Sequence, residues 1–356
     1  MMQEPVPNRR HVSLLVILVV LGIAKLAVPA TMYSIKELGQ LEPAESSVVR
    51  GLNATGEVVG RSIGFGHGTQ ALHMTSTGVN NLGGLPGGDW SGAHAINSRG
   101  SVVGSSNREG SVRAFFWTSG GGIRDLGSLP GDSGSEAFGL NEHNEAVGYS
   151  SGPQGIEAVH WAPDGKIEGL GRLFKGDHSR AFGISEAGDI VGSSTSADVT
   201  RSFLWTRNRG IEELGPLIGS VHSEAVGINN GRQVVGNLET ALGTRAFLWT
   251  PGGGMEDLGV LPGGNRSQAL AINERGEVVG RSTSAQGLRA FVWTRSSGMM
   301  DLNLLIPSNK DFVLTGAVNI NDLGVVLAIG RAKHGDHQGG HDHESPMHVF
   351  LLTPSP

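Results

Sequence analysis

The chain has 356 residues, a net charge of −6, 38% hydrophobic residues and only 17% charged ones. That balance allows a large buried core and excludes a chain kept open by its own charge, while the acidic sign lacks the basic footprint of a nucleic-acid binder. Cysteine is absent, so disulfides, thiolate metal sites, a Cys nucleophile and lipidation on an N-terminal Cys are excluded as well.

Residues 1–30 read as a secretory signal peptide. Arg9 and Arg10 precede an apolar run from Val12 to Ala24, and Val28-Pro29-Ala30 supplies a cleavage-like end. A membrane anchor competes, but Lys25 interrupts the run well short of the roughly 20 residues a span needs. The paired arginines resemble a twin-arginine signal only weakly. Cleavage leaves 31–356 as a mature chain; losing Arg9, Arg10, Lys25 and Glu4 takes the charge from −6 to −8.

Beyond the leader, the chain repeats. Trp117, Trp161, Trp205, Trp249 and Trp293 are 44 residues apart, each closing a segment like Arg245 to Thr250 (RAFLWT). Asn53, Asn97, Asn141, Asn229 and Asn273 keep the same spacing, with Ser185 filling the gap and Asn321 following after 48, which makes seven units. Each unit predicts four short strands, as in the fifth: Ser223 to Asn229, Gln233 to Asn237, Arg245 to Thr250 and Gly254 to Gly259. Runs rich in Val, Ile, Phe and Trp between Gly and Asn are strand signals. In the N-x-x-G step the Asn can bond its own backbone two residues on, and Gly accepts positive φ. The V-V-G that follows has apolar residues facing both ways, suiting a sheet covered on both faces.

Four-stranded units at this period mark propeller blades. An open solenoid competes, but the last unit stops after its third strand, Val349 to Thr353, while Met32 to Gly39 (MYSIKELG) matches a fourth strand such as Gly210 to Gly215. Pairing the two removes exposed edges. The expected fold is all-β: a seven-bladed β-propeller of four-stranded blades, its ring closed by the N-terminal strand in the last blade.

At RAF-x-W-T, with I-N-x-x-G-x-V-V-G and D-L-G-x-L-P-G-G around it, the chain resembles the HAF family of extracellular repeat proteins over residues 33–353. The resemblance implies an exported bacterial protein, secreted or periplasmic, and carries no reaction or catalytic residues. The first unit departs from it, with Ala71 to Thr75 lacking the Trp, as does the last, with Leu352; looser packing is expected there.

Loops entering each unit share a face with the loops between second and third strands, and binding residues gather in such loops. The set Gly87 to Gly92, Gly176 to Arg180, Gly219 to Glu224 and Gly263 to Gln268 places Asp89, Trp90, Asp132, Asp177, His178, Arg180, His222, Glu224 and Arg266 on one rim as candidate ligand contacts. LPGG itself is turn chemistry. Trp90 stands outside the core Trp column, and an aromatic beside Asp89 suits a sugar ring or an interface. Lys333 to His348 is a His-rich loop whose His334, His337, His341, His343 and His348, joined by His67, form a candidate Zn, Ni or Cu site. His73, His94, His143 and His160 read as packed or turn histidines. The function this predicts is a monomeric, non-enzymatic binding module for a glycan or protein ligand, without nucleic acid and without a membrane span after cleavage. The alternative is a propeller hydrolase or lyase acting on glycans, and convergence of Asp132, Asp177, His178, His222 and Glu224 in one pocket would favour it.

Overall fold

The structure, a computed structural model, describes residues 32–41, 48–63, 68–215, 220–308, 311–333 and 347–355. Residues 1–31, where a signal peptide is expected, residues 334–346 and His67 lie outside them. The described residues form 28 strands and two short 3-10 turns. The fold is an all-β propeller.

The expected seven separate four-stranded blades are not what is found. Five sheets of four strands stand apart: 48–83, 91–125, 220–257, 267–301, and one joining 33–41 to 312–354. Residues 134–213, the third and fourth units, make one eight-stranded sheet instead, because Ile156 and His178 form a parallel bridge across the gap between them. Beside the bridge the Ile156 amide faces the His178 ring nitrogen at 3.4 Å, where the GDHSR segment enters the next unit. Closure needs the same correction. Tyr33–Leu41 pairs antiparallel with Met347–Pro354 and completes that sheet, but no strand ladder passes from it to the sheet of 48–83, so strand hydrogen bonds close no ring.

Side chains do the joining. The turn Asn of each unit that has one accepts, through Oδ1, from the amide four residues on, and five of the six also from the amide two residues on; in the first unit these are Glu57 at 2.9 Å and Thr55 at 3.1 Å. The Nδ2 donates to the backbone carbonyl at the matching position of the next unit, from Asn53 to Asn97 at 3.1 Å and from Asn321 to Asn53 at 3.0 Å. The turn role read from sequence is thus joined by a second, inter-sheet role. Among the described residues Ser185 makes no such donation; its hydroxyl accepts from the Asp189 amide at 3.1 Å, and Arg232 of the following unit pairs with Asp189 at 2.6 Å. The glycine in N-x-x-G has φ of 83° at Gly56 and 75° at Gly100, a region costly for a side chain.

The V-V-G strands are buried on both faces: Val58, Val59, Val278 and Val279 are wholly covered. Their glycines are required by close approach. A Cβ on Gly104, Gly192, Gly236 or Gly280 would meet a carbonyl of the adjacent first strand on one side and the rings of Phe115, Phe203, Phe247 or Phe291 on the other. The first unit, which lacks the Trp, packs Met74 into a cluster with Leu52, Val58, Leu327 and Val349 at the junction with the last unit. Leu352 is fully buried in a core that the last unit shares with the sixth, beside Val279 and Val292 among others.

Candidate functional site

Most of the predicted rim residues are tied into the scaffold. Asp89 accepts from Asn107 Nδ2 at 2.5 Å. The Trp90 amide donates to Asn107 Oδ1 at 2.7 Å, and the half-buried indole lies beneath the Arg61 guanidinium, 5.7 Å from it. Asp132 accepts from Ser150 Oγ at 2.7 Å, Asp177 from the Ala197 amide at 3.4 Å, His178 from the Ile156 amide and His222 from the Thr200 amide at 3.1 Å. The backbone of Arg266 pairs with Thr283 while its side chain is exposed. In each case a loop entering one unit is braced on the hairpin or edge beside it.

Asp132, Asp177, His178, His222 and Glu224 have separate partners, and no hydrogen bond joins any two of them among the described residues. His222 and Glu224 line one cleft with Asn237 and Gln268, while Asp132 lines another with Arg172. Of the metal candidates only His348 is described, and its Nδ1 lies 2.7 Å from Glu37 Oε1 across the strand pair.

A larger space was not singled out by the sequence. The first strands of all seven units line a central channel of about 530 Å³. A bulge repeats in each of them: Ala137 pairs with Gly148 and Gly139 with Val147, leaving Phe138 as the extra residue. The same shift frees Arg50, His94, Phe182, Val226, Leu270 and Val318. A bulge bends its strand and re-aims one side chain, and all seven of these residues line the channel. Below them lies an apolar layer that includes Leu52, Ile96, Leu140 and Ile184.

The channel wall is lopsided. His94 stacks on Phe138 with centroids 5.2 Å apart, and Phe138 lies 5.5 Å from Phe182 and 5.8 Å from Tyr149. Opposite this aromatic row stand the aliphatic Val226, Leu270 and Val318. The charges cluster at the aromatic side. Tyr149 Oη donates to Glu136 Oε1 at 2.5 Å and carries the Arg180 guanidinium over its ring at 5.4 Å. Burial and Glu136 together raise the Tyr149 pKa, so it remains a phenol. Glu224, which also lines the channel, accepts from Ser193 Oγ at 3.2 Å; burial raises its carboxyl above the usual range, with Ser193 and Arg180 opposing.

His94 Nδ1 lies 2.8 Å from the Ala137 carbonyl, which can only accept, so Nδ1 carries the proton. Burial, followed by the Arg50 and Arg61 guanidiniums, pushes this histidine down to about 3 and keeps it neutral. Arg50 is lowered from its ordinary value by the same burial and by Arg61, yet a guanidinium stays charged in proteins.

Of the sequence candidates, Glu224 reaches the channel and Arg180 stands beside it. Arg50, His94, Phe138, Phe182, Glu136 and Tyr149 were missed, His94 having been read only as a packed residue. A signal for four of them was present. Three residues before each turn Asn or Ser the chain reads Arg, His, Phe, Phe, Val, Leu, Val, while the residue before that is Ala in six units and Val in the other. A varied column beside a fixed one marks a position free of the scaffold's demands.

No protein-family model matches the chain, and no curated protein sequence matches it. Solved structures do. Virginiamycin B lyase from Staphylococcus aureus is similar at 15% identity and a TM-score of 0.56, over 90% of this chain and 99% of that one. An oligogalacturonate lyase in complex with manganese is similar at 10% identity and 0.56, over 92% and 94%. A puromycin-hydrolyzing peptidase from Mycobacterium tuberculosis is similar at 14% identity and 0.55, over 85% of this chain and 53% of that one. No helix among the described residues is long and apolar enough to cross a membrane. At such identities the likenesses speak for the fold alone: this chain is similar to propeller proteins.

Proposed function

We propose that this chain is an exported, non-enzymatic binding module whose ligand enters the central channel and lies along Phe138 and Phe182. The observation that carries the reading is the lopsided wall: an aromatic row with charged groups at its side, facing aliphatic residues across about 530 Å³. Ligand sites are commonly concave, mostly apolar and furnished with a few polar groups, in this size range. Separate tethering of the five rim groups favours binding over catalysis, since acid–base chemistry needs its groups within reach of one reacting centre. His94 is also a poor base near neutral pH, because a pKa of about 3 leaves it little affinity for a proton. Export rests on Arg9, Arg10 and the apolar run from Val12 to Ala24, and the repeat motifs support a HAF-type reading.

Calorimetric titration against a panel of neutral and acidic mono- and oligosaccharides tests the site. Loss of two aromatic faces in the Phe138→Ala/Phe182→Ala variant should weaken any binding about tenfold; unchanged affinity in that variant would move the site elsewhere. One observation favours the catalytic alternative, a hydrolase or lyase acting on glycans: Glu224 has a raised carboxyl pKa in a cleft it shares with His222. Turnover of a panel sugar that disappears in Glu224→Gln would establish that alternative.

A further inference from the structure

We propose that the channel's ligand is a hydroxylated ring carboxylate, its anionic group paired with Arg50, a ring hydroxyl donating to His94 and its ring face on Phe138. The inference rests on the channel being the binding site and adds the chemistry of what it binds.

Arg50 is the extra residue of its bulge, and its exposed side chain lines the channel. Among the described residues its guanidinium has no carboxylate within ion-pair distance, whereas other arginines of the blades do, such as Arg113 with Asp125 at 3.1 Å and Arg201 with Glu213 at 3.3 Å. The two acids of the first strands are engaged elsewhere. Glu136, whose charge Arg50 feels, spends Oε1 on Tyr149, and Glu224 is held by Ser193. The Arg50 guanidinium, with Arg61 adding to the positive potential around it, lines the channel without a paired carboxylate among the described residues, and the planar fork of Arg matches a carboxylate in two parallel hydrogen bonds.

Next along the wall, His94 has its proton fixed on Nδ1 by the Ala137 carbonyl, which leaves Nε2 as an acceptor with no partner among the described hydrogen bonds. An acceptor beside a cation suits a ligand with a hydroxyl next to its carboxylate and disfavours a bare anion, whose oxygens have no hydrogen to give to Nε2. Phe138, stacked 5.2 Å beyond His94, then offers an aromatic face for the ring. Three successive bulges thus present cation, acceptor and ring face in order.

The test compares D-glucuronate with D-glucose, which differ at the carboxylate, by titration or saturation-transfer NMR on the full mature chain. Glucuronate should bind at least about tenfold more tightly than glucose to the unaltered protein. Arg50→Gln should erase that preference while leaving the thermal unfolding midpoint unchanged, since the Arg50 side chain braces nothing else described. Equal binding of the two sugars, no binding of either, or a preference that survives in Arg50→Gln overturns the inference. The Phe138→Ala variant separates the two levels. Equal binding of both sugars that is lost in Phe138→Ala removes the carboxylate and leaves the channel reading standing, whereas glucuronate binding indifferent to Phe138 removes both.

Discussion

Two layers of the same strands obey opposite rules. Inside the blades the repeat varies little: Phe115, Phe203, Phe247, Phe291 and Phe350 are fully buried, with the smaller Leu72 and Val159 in the other two units, and each phenylalanine lies over the bare backbone of Gly104, Gly192, Gly236, Gly280 or Gly330. A few residues away, on the channel wall, the matching positions read Arg50, His94, Phe138, Phe182, Val226, Leu270 and Val318. The first layer repeats because every unit must fill the same space at crystal-like density. The second is free to differ because the bulge has taken its side chain out of the packing.

The largest effect should come from breaking the first layer. Phe247→Ala removes a ring with no exposed surface and leaves a cavity, at a cost of about 3–5 kcal/mol. Phe138→Ala, of the same chemistry but on the channel wall, should cost less than about 1.5 kcal/mol, because solvent fills the space. Urea unfolding of both variants decides the matter; similar losses would mean that Phe138 belongs to the core and that the two layers are one.

The turn residues give a smaller contrast. Asn141 accepts from the His143 and Glu145 amides at 3.0 and 2.9 Å and donates to the Ser185 carbonyl at 3.2 Å, all while buried. Asn141→Ala strands these partners and should cost about 1–3 kcal/mol. The Ser185 hydroxyl makes one described bond, the acceptance from the Asp189 amide, so Ser185→Ala should lose clearly less. A comparison of unfolding midpoints would show whether the Asn relay holds the units together or merely shapes their turns.

The same two layers explain what could be read in advance. Strands, turns and blade period were legible because Trp, Asn and V-V-G recur wherever the scaffold needs them. The bulge was not legible in any one unit, since a segment such as EAFGLN does not by itself announce that Phe138, rather than Ala137 or Gly139, is the residue left over; only the varied column across the units marks the position. Neither was the merging of the third and fourth units, which turns on a single bridge between Ile156 and His178. The polar rim residues, expected as candidate ligand contacts, also brace the loops that carry them. Asp89, Asp132 and Asp177 have the composition of ligand contacts, but the loops leave side-chain and backbone amides and hydroxyls that need acceptors, and these carboxylates accept from Asn107 Nδ2, Ser150 Oγ and the Ala197 amide.

The smallest effect concerns the one rim acid that reaches the channel. Burial holds the Glu224 carboxyl above its ordinary 4.5, and the Ser193 hydroxyl and Arg180 only partly oppose this. The folded protein therefore binds this proton more tightly than the unfolded chain does, so the contribution to stability is most favourable below 4.5 and declines as pH rises through the folded value. Glu224→Gln keeps the shape and removes the titration. The difference in unfolding free energy between the two proteins should change by no more than about 1 kcal/mol across that window, with the variant gaining on the parent toward neutral pH. A difference that is flat with pH would place the carboxyl in open water, and Glu224 would then join the scaffold residues of the rim instead of the wall of the channel.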